Sequence, residues 1–351
     1  MNKILAEDIR LLAGQYGGVS ELRGKTVMIT GATGLIGSCL VRFLLLLNSE
    51  YHAGIRVIAV VRNEAKAISM FGPSDNTLRY YVHDFMDVSC FQPNVSADYI
   101  VHLAAPTASR FFADHPAATM LTVVDGTRAM LDYARRCRVK AVVFASSLEV
   151  YGTVVDDSCP LTESMLGYVD TANPRSSYPV AKRAAEALCH AYAHEYGVPV
   201  RIARLAQTFG AGIADDDNRV FAQFARAVVT GSDITLHTNG TLRRCYCYTT
   251  DAVDAILCLL IKGSDGEVYN VANEDTYTSI MEMAQMLCDS FMPGKHPVVV
   301  LRQDMGYSPA TKLRLNAAKL RSLGWKPRYD LPEMFARLIA SMRVNLTYGE
   351  P

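Results

Sequence analysis

A tyrosine stands four residues before a lysine in the stretch SSYPVAK, residues 176–182. If a helix begins near Ser177, this spacing places Tyr178 and Lys182 on one helix face, a turn apart. A nearby ammonium favours the ionised form of a phenol, so the pattern makes Tyr178 a candidate base. The alternative is an exposed aromatic beside a solvated lysine, and the rest of the chain has to decide between them.

A glycine-rich segment, TGATGLIG, follows the apolar run KTVMIT and precedes a run with a helical pattern. Its three glycines have the spacing GxxGxxG. Glycine permits the tight turn, the approach of a pyrophosphate and the close packing of helix on sheet, and the amides at the helix start favour phosphates. We predict dinucleotide binding here, with a purely structural turn as the alternative. The predicted cofactor residues of this segment are Gly31, Thr33, Gly34, Leu35, Ile36 and Gly37.

Arg62 stands at the end of the second predicted strand, where dinucleotide-binding domains place an acidic residue on the adenosine ribose. Arginine at this place can accompany a 2′-phosphate or stack on adenine, so the sequence leaves both NAD and NADP open. Asp84 and Phe85, after the third strand, are predicted to clamp the adenine. The alternative for Asp84 is a plain turn aspartate.

The segment ASSLEVYG ends the fifth predicted strand. Serine hydroxyls at a strand end can hydrogen-bond a substrate hydroxyl and share its proton, which makes Ser146 and Ser147 candidates. Glu149 lies two residues beyond Ser147 and points the same way if the strand continues. Strand-end capping and a solvated loop acid are the alternatives.

Six apolar strands alternate with helices from residue 25 to residue 206. This pattern predicts an α/β fold, a Rossmann-type doubly wound parallel sheet with ligands outside the carboxyl ends of its strands. After residue 207 the regularity weakens, which predicts a smaller C-terminal substrate lobe that completes a cleft. We divide the chain into an N-terminal helical extension (1–23), a dinucleotide-binding domain (24–206, with some later segments returning to it) and the substrate lobe (207–351).

The composition excludes several classes of partner. The chain has 351 residues with 35 basic and 35 acidic side chains, so no net field draws it to nucleic acid or to a membrane. Nine scattered cysteines without a CxxC pair indicate reduced thiols and argue against a metal site. The N-terminal residues are charged throughout, and the apolar burst FLLLLN is far too short to span a bilayer. We expect a cytoplasmic protein.

The glycine motif, HLAA, SSLEVYG and YPVAK, in this order, resemble the extended short-chain dehydrogenase/reductases that modify nucleotide sugars. The resemblance covers about residues 24 to 335 and includes RIARLAQTFG, YNVAN and LGWKP. It implies that Tyr178 is the base, that Lys182 binds the nicotinamide ribose and lowers the pKa of the tyrosine, and that Ser147 aligns the sugar hydroxyl. The HLAA segment adds the cofactor residues Leu103, Ala104 and Ala105.

The same resemblance implies a nucleoside-diphosphate sugar, UDP-linked, as the ligand of the C-terminal lobe and a homodimer as the working form. Arg219 and Arg244 align with family arginines near the diphosphate, and surface charge is the alternative. Arg175 is a candidate for a substrate carboxylate, with a capping or surface role as the alternative. The predicted substrate residues are Thr107, Ser147, Arg175, Gln207, Arg219 and Arg244.

Enzymes of this kind oxidise carbon 4 of the sugar, and the 4-keto sugar then has three fates: re-reduction from the other face, loss of water, or loss of carbon dioxide from a uronic acid. A glutamate at the place of Glu149 is usual in the 4,6-dehydratases and the UDP-glucuronate decarboxylases and unusual in the 4-epimerases. The dehydratases also have an acidic aspartate just before it, where this chain has Leu148. The resemblance is therefore greatest to the decarboxylase group, with Glu149 acting at carbon 5.

Four residues depart from the decarboxylase pattern. Ser147 replaces the usual threonine, Leu148 the usual serine, Gln207 the usual asparagine and Arg62 the ribose acid. A 4-epimerase and an NADPH-dependent 4-keto-sugar reductase therefore stay open as alternatives. A non-catalytic dinucleotide sensor would have no need of the intact serine, tyrosine and lysine.

Overall fold

The computed structural model describes residues 1–87, 91–107, 109–302 and 311–348. The strands are β1 Thr26–Thr30, β2 Arg56–Val61, β3 Leu78–Val82, β4 Tyr99–His102, β5 Ala141–Ser147, β6 Val200–Leu205, β7 Gln207–Phe209, β8 Thr235–Leu236, β9 Arg243–Tyr248, β10 Val268–Val271, β11 Asn273–Ser279, β12 Val298–Val299 and β13 Lys312–Leu313. The helices are α1 Lys3–Gln15, α2 Val19–Leu22, α3 Leu35–Tyr51, α4 Glu64–Phe71, α5 Ser109–Asp114, α6 Pro116–Cys137, α7 Ser177–Tyr196, α8 Val220–Thr230, α9 Thr249–Lys262, α10 Ile280–Phe291, α11 Ala318–Arg321 and α12 Leu331–Tyr348. Two short 3₁₀ helices span Leu148–Tyr151 and Pro174–Ser176.

In the described part of the chain, the central sheet has seven strands in the order β10–β6–β5–β4–β1–β2–β3. Every neighbouring pair in it is parallel. Alternate residues of β1 enter different cores: Val27 and Ile29 join the cluster that includes α3 and α9, whereas Met28 joins the cluster that includes α6 and α7. Continuous apolar strands are required because both faces of the sheet are covered. The predicted Rossmann-type doubly wound sheet is confirmed.

The second half of the chain contributes to the central sheet and also forms a further apolar cluster. The strand β10 pairs with β6 at the edge of the central sheet, and α9 packs against β5 and β6. The remaining elements form a third apolar cluster, built from α8, α10, α12 and the strands around Phe209 and Tyr246. This third cluster contains no residue of the central sheet, and its assignment to a separate substrate lobe stays a prediction.

The N-terminal helix α1 is packed onto the rest of the protein. Its apolar face buries Leu5, Ile9 and Leu12 against α3, α9 and α12. On the same face the buried carboxylate of Asp8 accepts a hydrogen bond of 2.6 Å from the Tyr248 hydroxyl and pairs with Arg337. No helix in the described ranges has the length and apolar character needed to cross a membrane.

The packing of α1 predicts a contrast between two adjacent leucines. Leu12 is 1% exposed and Leu11 is 49% exposed. Leu12→Ala should lower the free energy of unfolding by about 2–5 kcal/mol, since it removes buried methyl groups and leaves a cavity. Leu11→Ala, the matched control in the same helix, should change it by no more than about 0.5 kcal/mol. Denaturant unfolding measures both, and equal effects would show that α1 does not pack as described.

Candidate active site

The glycine turn after β1 has the geometry of a dinucleotide cradle. Gly31 has a φ of +65°, and a Cβ on it would lie 3.0 Å from the backbone nitrogen of Ala104. A Cβ on Gly37 would lie 2.2 Å from the carbonyl oxygen of Gly31. Gly34 caps α3 without a side chain, so the first amides of the helix, those of Leu35 and Ile36 among them, remain for a phosphate. The turn therefore fits the pyrophosphate of a dinucleotide.

Thr30 joins the ends of β1 and β4 beside this cradle. Its hydroxyl oxygen accepts hydrogen bonds from the amides of Leu103 (3.1 Å) and Ala104 (3.0 Å). The hydroxyl proton is therefore left for His102 Nδ1, at 2.7 Å, so the imidazole carries its own proton on Nε2. Burial lowers the pKa of His102 to about 3, with the Lys182 charge contributing, which keeps the ring neutral. Ala105 follows, half-buried, at the mouth of the same turn.

Arg62, predicted for the adenosine ribose, is exposed directly after β2. Thr33, predicted with the glycine segment, lies in the glycine turn. Asp84 accepts a hydrogen bond from the amide of Met86, as the turn alternative predicts. The Phe85 ring is buried in the aromatic core, 5.6 Å from the His102 ring, and the adenine clamp of Asp84 and Phe85 stays a prediction.

The helix α7 begins at Ser177 and carries Tyr178 and Lys182 on one face, both buried, as the four-residue spacing predicts. The Lys182 ammonium donates a hydrogen bond of 2.6 Å to the carbonyl oxygen of Ala145 on β5. It lies 4.7 Å from the centre of the Phe144 ring and 5.8 Å from the centre of the Tyr178 ring. Burial lowers the pKa of Lys182 to about 8, and the Glu186 carboxylate opposes that shift.

The Tyr178 ring stacks on Phe112 of α5, with the ring centres 4.3 Å apart and the planes at 4°. Burial raises the pKa of Tyr178 above its ordinary value, and the Glu149 charge adds to the increase. A hydrogen bond from Ser147 opposes it and joins the predicted serine to the predicted base. The expected lowering of this pKa by Lys182 is therefore not what the structure shows, because desolvation dominates and the ammonium is held on the Ala145 carbonyl.

The strand β5 ends at Ser147, so the prediction that Glu149 continues an extended strand is wrong. The Ser147 hydroxyl oxygen accepts a hydrogen bond of 3.2 Å from the Glu149 amide and starts a 3₁₀ turn. Within that turn Leu148 is buried in the core, 2% exposed. Glu149 faces the other way and forms two hydrogen bonds of 3.1 Å with the guanidinium of Arg175.

The residues predicted to bind the substrate have different surroundings. Arg219 donates to Asp217 and still contributes to the field at Tyr178, so it lies near that tyrosine. Arg244 is the second residue of β9, and its Nε is buried with no acceptor among the described residues. Gln207 is half-buried at the start of β7, and Thr107 is exposed after β4. An unpaired buried guanidinium nitrogen is costly, and an anionic ligand would satisfy it.

Three residues that support the site were not predicted. Phe112 contacts both the Tyr178 ring and the Arg175 guanidinium, the latter at 4.9 Å. Glu186, one turn beyond Lys182, accepts two hydrogen bonds from Arg204 of β6 and one from Ser146. The spacing of Glu186 from Lys182 is the signal that could have found it, whereas Phe112 and Arg204 carry no local signal. Within the described ranges, no group of three or more His, Cys, Asp or Glu side chains could hold a metal ion.

Comparison with known proteins identifies the class of this site. The model of the NAD dependent epimerase/dehydratase family matches residues 27–272. The chain belongs to this family. UDP-glucuronic acid decarboxylase 1 of Danio rerio is 30% identical over 319 residues, which are 90% of this chain and 72% of the relative. UDP-glucuronic acid decarboxylase 6 of Arabidopsis thaliana is 29% identical over 326 residues, 91% of this chain and 89% of the relative.

Two solved structures with similar folds belong to different enzymes. The UDP-glucose 4-epimerase of Thermotoga maritima has a TM-score of 0.76 and 25% identity and covers 92% of this chain and 99% of its own. The dTDP-glucose 4,6-dehydratase of Streptomyces venezuelae, with NAD bound, has the same TM-score and identity and covers 92% and 98%. Family membership confirms the predicted resemblance and the NAD dependence. A 2′-phosphate beside Arg62 stays a prediction.

The geometry of the glycine turn predicts the effect of Gly37→Ala on the affinity for NAD. Gly37→Ala should weaken NAD binding by at least about tenfold, because its Cβ has to displace the Gly31 backbone that approaches the pyrophosphate. Gly14→Ala is the matched control, since Gly14 is also helical and nothing lies within 4 Å of its added Cβ. Calorimetric titration with NAD measures both variants. Normal NAD affinity in Gly37→Ala would remove the cradle assignment.

Proposed function

We propose that the protein is a UDP-glucuronate decarboxylase-type enzyme that forms a transient 4-keto sugar. The observation that carries the proposal is the 3₁₀ turn after Ser147, which directs Glu149 towards Tyr178 and buries Leu148. Loss of water needs an acid at the place of Leu148, and an alkyl side chain in the core cannot donate a proton. The 28–30% identity to UDP-glucuronic acid decarboxylases supports the same choice.

The C-terminal lobe is the proposed site of the nucleoside diphosphate. Arg244, with its unsatisfied Nε, and Arg219, near Tyr178, are the guanidinium groups proposed to bind it. Guanidinium groups bind phosphate oxygens through paired, charge-assisted hydrogen bonds. A ligand held there by its diphosphate would present its sugar to Ser147 and Tyr178.

The glycine cradle would hold NAD, which would supply the hydride acceptor for carbon 4 and the hydride donor for the later reduction. Oxidation of the 4-hydroxyl needs ionised Tyr178, and the Ser147 hydrogen bond favours that form. Reduction of the ketone needs the neutral phenol, which burial favours, as the donor of a proton to the 4-oxygen. Ser147 and Tyr178 thus hold the 4-oxygen in both directions.

The middle step is the loss of carbon dioxide. In the 4-keto sugar the carboxylate of a uronic acid is β to the ketone, so the electrons of the bond between carbons 5 and 6 pass into an enolate as carbon dioxide leaves. Carbon 5 then takes a proton and the 4-ketone is reduced. Glu149 is proposed to manage that proton, directly or through a water, because its carboxylate is close enough to influence Tyr178.

Three further proposals come from the sequence. The enzyme works as a homodimer, with the exposed Met120 and Leu121 of α6 as apolar surface for a second subunit, and light scattering after gel filtration tests this. It resides in the cytoplasm, which cell fractionation tests. The chain is divided into an N-terminal extension (1–23), a cofactor domain (24–206) and a substrate lobe (207–351). Limited proteolysis with and without NAD tests this division.

The proposed reaction predicts a defined product from UDP-glucuronate. With NAD, the wild-type enzyme should release carbon dioxide and give a UDP-pentose, and in heavy water carbon 5 should carry deuterium. Mass spectrometry and proton NMR measure both. An unchanged product mass with carbon 5 fully protonated would indicate a 4-epimerase, and loss of the mass of water from a neutral nucleotide hexose would indicate a dehydratase.

Tyr178→Phe should lower the turnover of UDP-glucuronate by about 10²–10⁴-fold, since a positioned proton acceptor and donor is lost. The variant keeps the ring that stacks on Phe112, so NAD binding and thermal unfolding should stay unchanged. Tyr192→Phe is the matched control on the same helix, because the Tyr192 hydroxyl donates a hydrogen bond to Asp132 and has no contact with Ser147 among the described hydrogen bonds. Turnover within a few-fold of wild type in Tyr178→Phe would refute the role of this tyrosine.

A further inference from the structure

The two arginine–carboxylate pairs near the site differ in how firmly they are held. Arg204 and Glu186 are 4% and 7% exposed, and their atoms also bond Ser146, Tyr151 and the Glu163 carbonyl. Arg175 and Glu149 are 19% and 16% exposed. Among the described residues, the carboxylate of Glu149 has no hydrogen-bond partner except Arg175. The second pair can therefore open without breaking a wider network.

Arg175 is fixed independently of Glu149. Its amide donates a hydrogen bond of 2.9 Å to the side chain of Asn173, which caps the 3₁₀ helix before α7. Its guanidinium lies over the Phe112 ring, the same ring that stacks on Tyr178. When Glu149 moves away, the guanidinium stays one aromatic ring from the catalytic tyrosine, with its planar fork available for another carboxylate.

We propose that Arg175 recognises the carboxylate of a uronic-acid substrate, and that Glu149 occupies this guanidinium in the free enzyme until the substrate carboxylate replaces it. The proposal rests on the proposed function and adds the residue that selects the substrate. The substrate carboxylate gains two charge-assisted hydrogen bonds from Arg175, which favours a uronic acid over a neutral hexose, and the loss of the Glu149 pair reduces this gain. A neutral hexose has no group that can compete, so the pair stays closed.

The exchange also gives Glu149 its position in the reaction. In the closed pair its two oxygens accept from Arg175 and are not available to a proton at carbon 5. Once released, the carboxylate lies beside the carbon that has just lost carbon dioxide. Substrate selection and release of the acid–base group are then one event, and a ligand without a carboxylate triggers neither.

Binding to NAD-loaded protein tests this, with Tyr178→Phe as the common background so that no turnover disturbs the titration. The ligands are UDP-glucuronate, UDP-glucose and UDP, measured by calorimetry. Adding Arg175→Gln should reduce the preference for UDP-glucuronate over UDP-glucose to about one, with UDP affinity unchanged. Arg175→Lys, which keeps the charge and loses the fork, should retain part of the preference. Adding Glu149→Gln should strengthen UDP-glucuronate binding by about tenfold, since the competing charge is gone, and leave UDP-glucose unchanged.

Equal weakening of all three ligands in Arg175→Gln would assign Arg175 a structural role and overturn the proposal. So would an unchanged preference in Arg175→Gln, or unchanged UDP-glucuronate binding in Glu149→Gln. The wild-type carbon dioxide assay separates this failure from failure of the proposed function. Decarboxylation with an unchanged preference in Arg175→Gln refutes only the recognition by Arg175, whereas no decarboxylation and no preference for UDP-glucuronate refutes the reaction itself.

Discussion

The buried ion pair between Glu186 and Arg204 fixes the geometry on which the site depends. It joins α7 to β6, and the hydrogen bond of 2.5 Å from Ser146 to Glu186 adds the end of β5. A buried charge that loses its partner costs several kcal/mol, so these three elements have to keep one arrangement. Since Glu186 is one turn from Lys182 and Ser146 adjoins Ser147, the pair holds the helix of the candidate site against the end of β5.

Burial in this arrangement favours the neutral form of both Tyr178 and Lys182. It raises the pKa of Tyr178 and lowers the pKa of Lys182 to about 8, so each group is moved towards its neutral form. In a water-poor site a charge that enters with a ligand has a large effect on its neighbours. Burial therefore favours the protonated phenol in the free protein, and the proposed oxidation would require a charge that enters with the ligand to favour the ionised form.

The sequence predicted the features of the site that depend only on neighbouring residues. The four-residue spacing of Tyr178 and Lys182 and the glycine turn depend only on helix periodicity and backbone space, and the structure has both as expected. The pairing of Glu149 with Arg175 joins residues 26 positions apart and depends on where β5 stops, which the serine cap decides. The pKa of Tyr178 depends on burial by α5, whose sequence gave no indication that Phe112 would cover the tyrosine. The sequence did not predict that the Phe85 ring is buried, because an aromatic after a strand fits an adenine site and a core equally well.

The 3₁₀ turn after β5 shows why residue type alone does not decide the reaction. The Ser147 hydroxyl ends the strand by accepting a hydrogen bond from the Glu149 amide, and this turn sends the side chain of residue 148 into the core and that of residue 149 to Arg175. Leu148 is there surrounded by the apolar cluster that also contains Val150 and Leu161. A carboxyl group in this place would lose its water without gaining a partner, at a cost of several kcal/mol. The packing of this chain therefore excludes a proton donor at residue 148, and it leaves Glu149 as the carboxyl group of this turn that the proposed reaction can use.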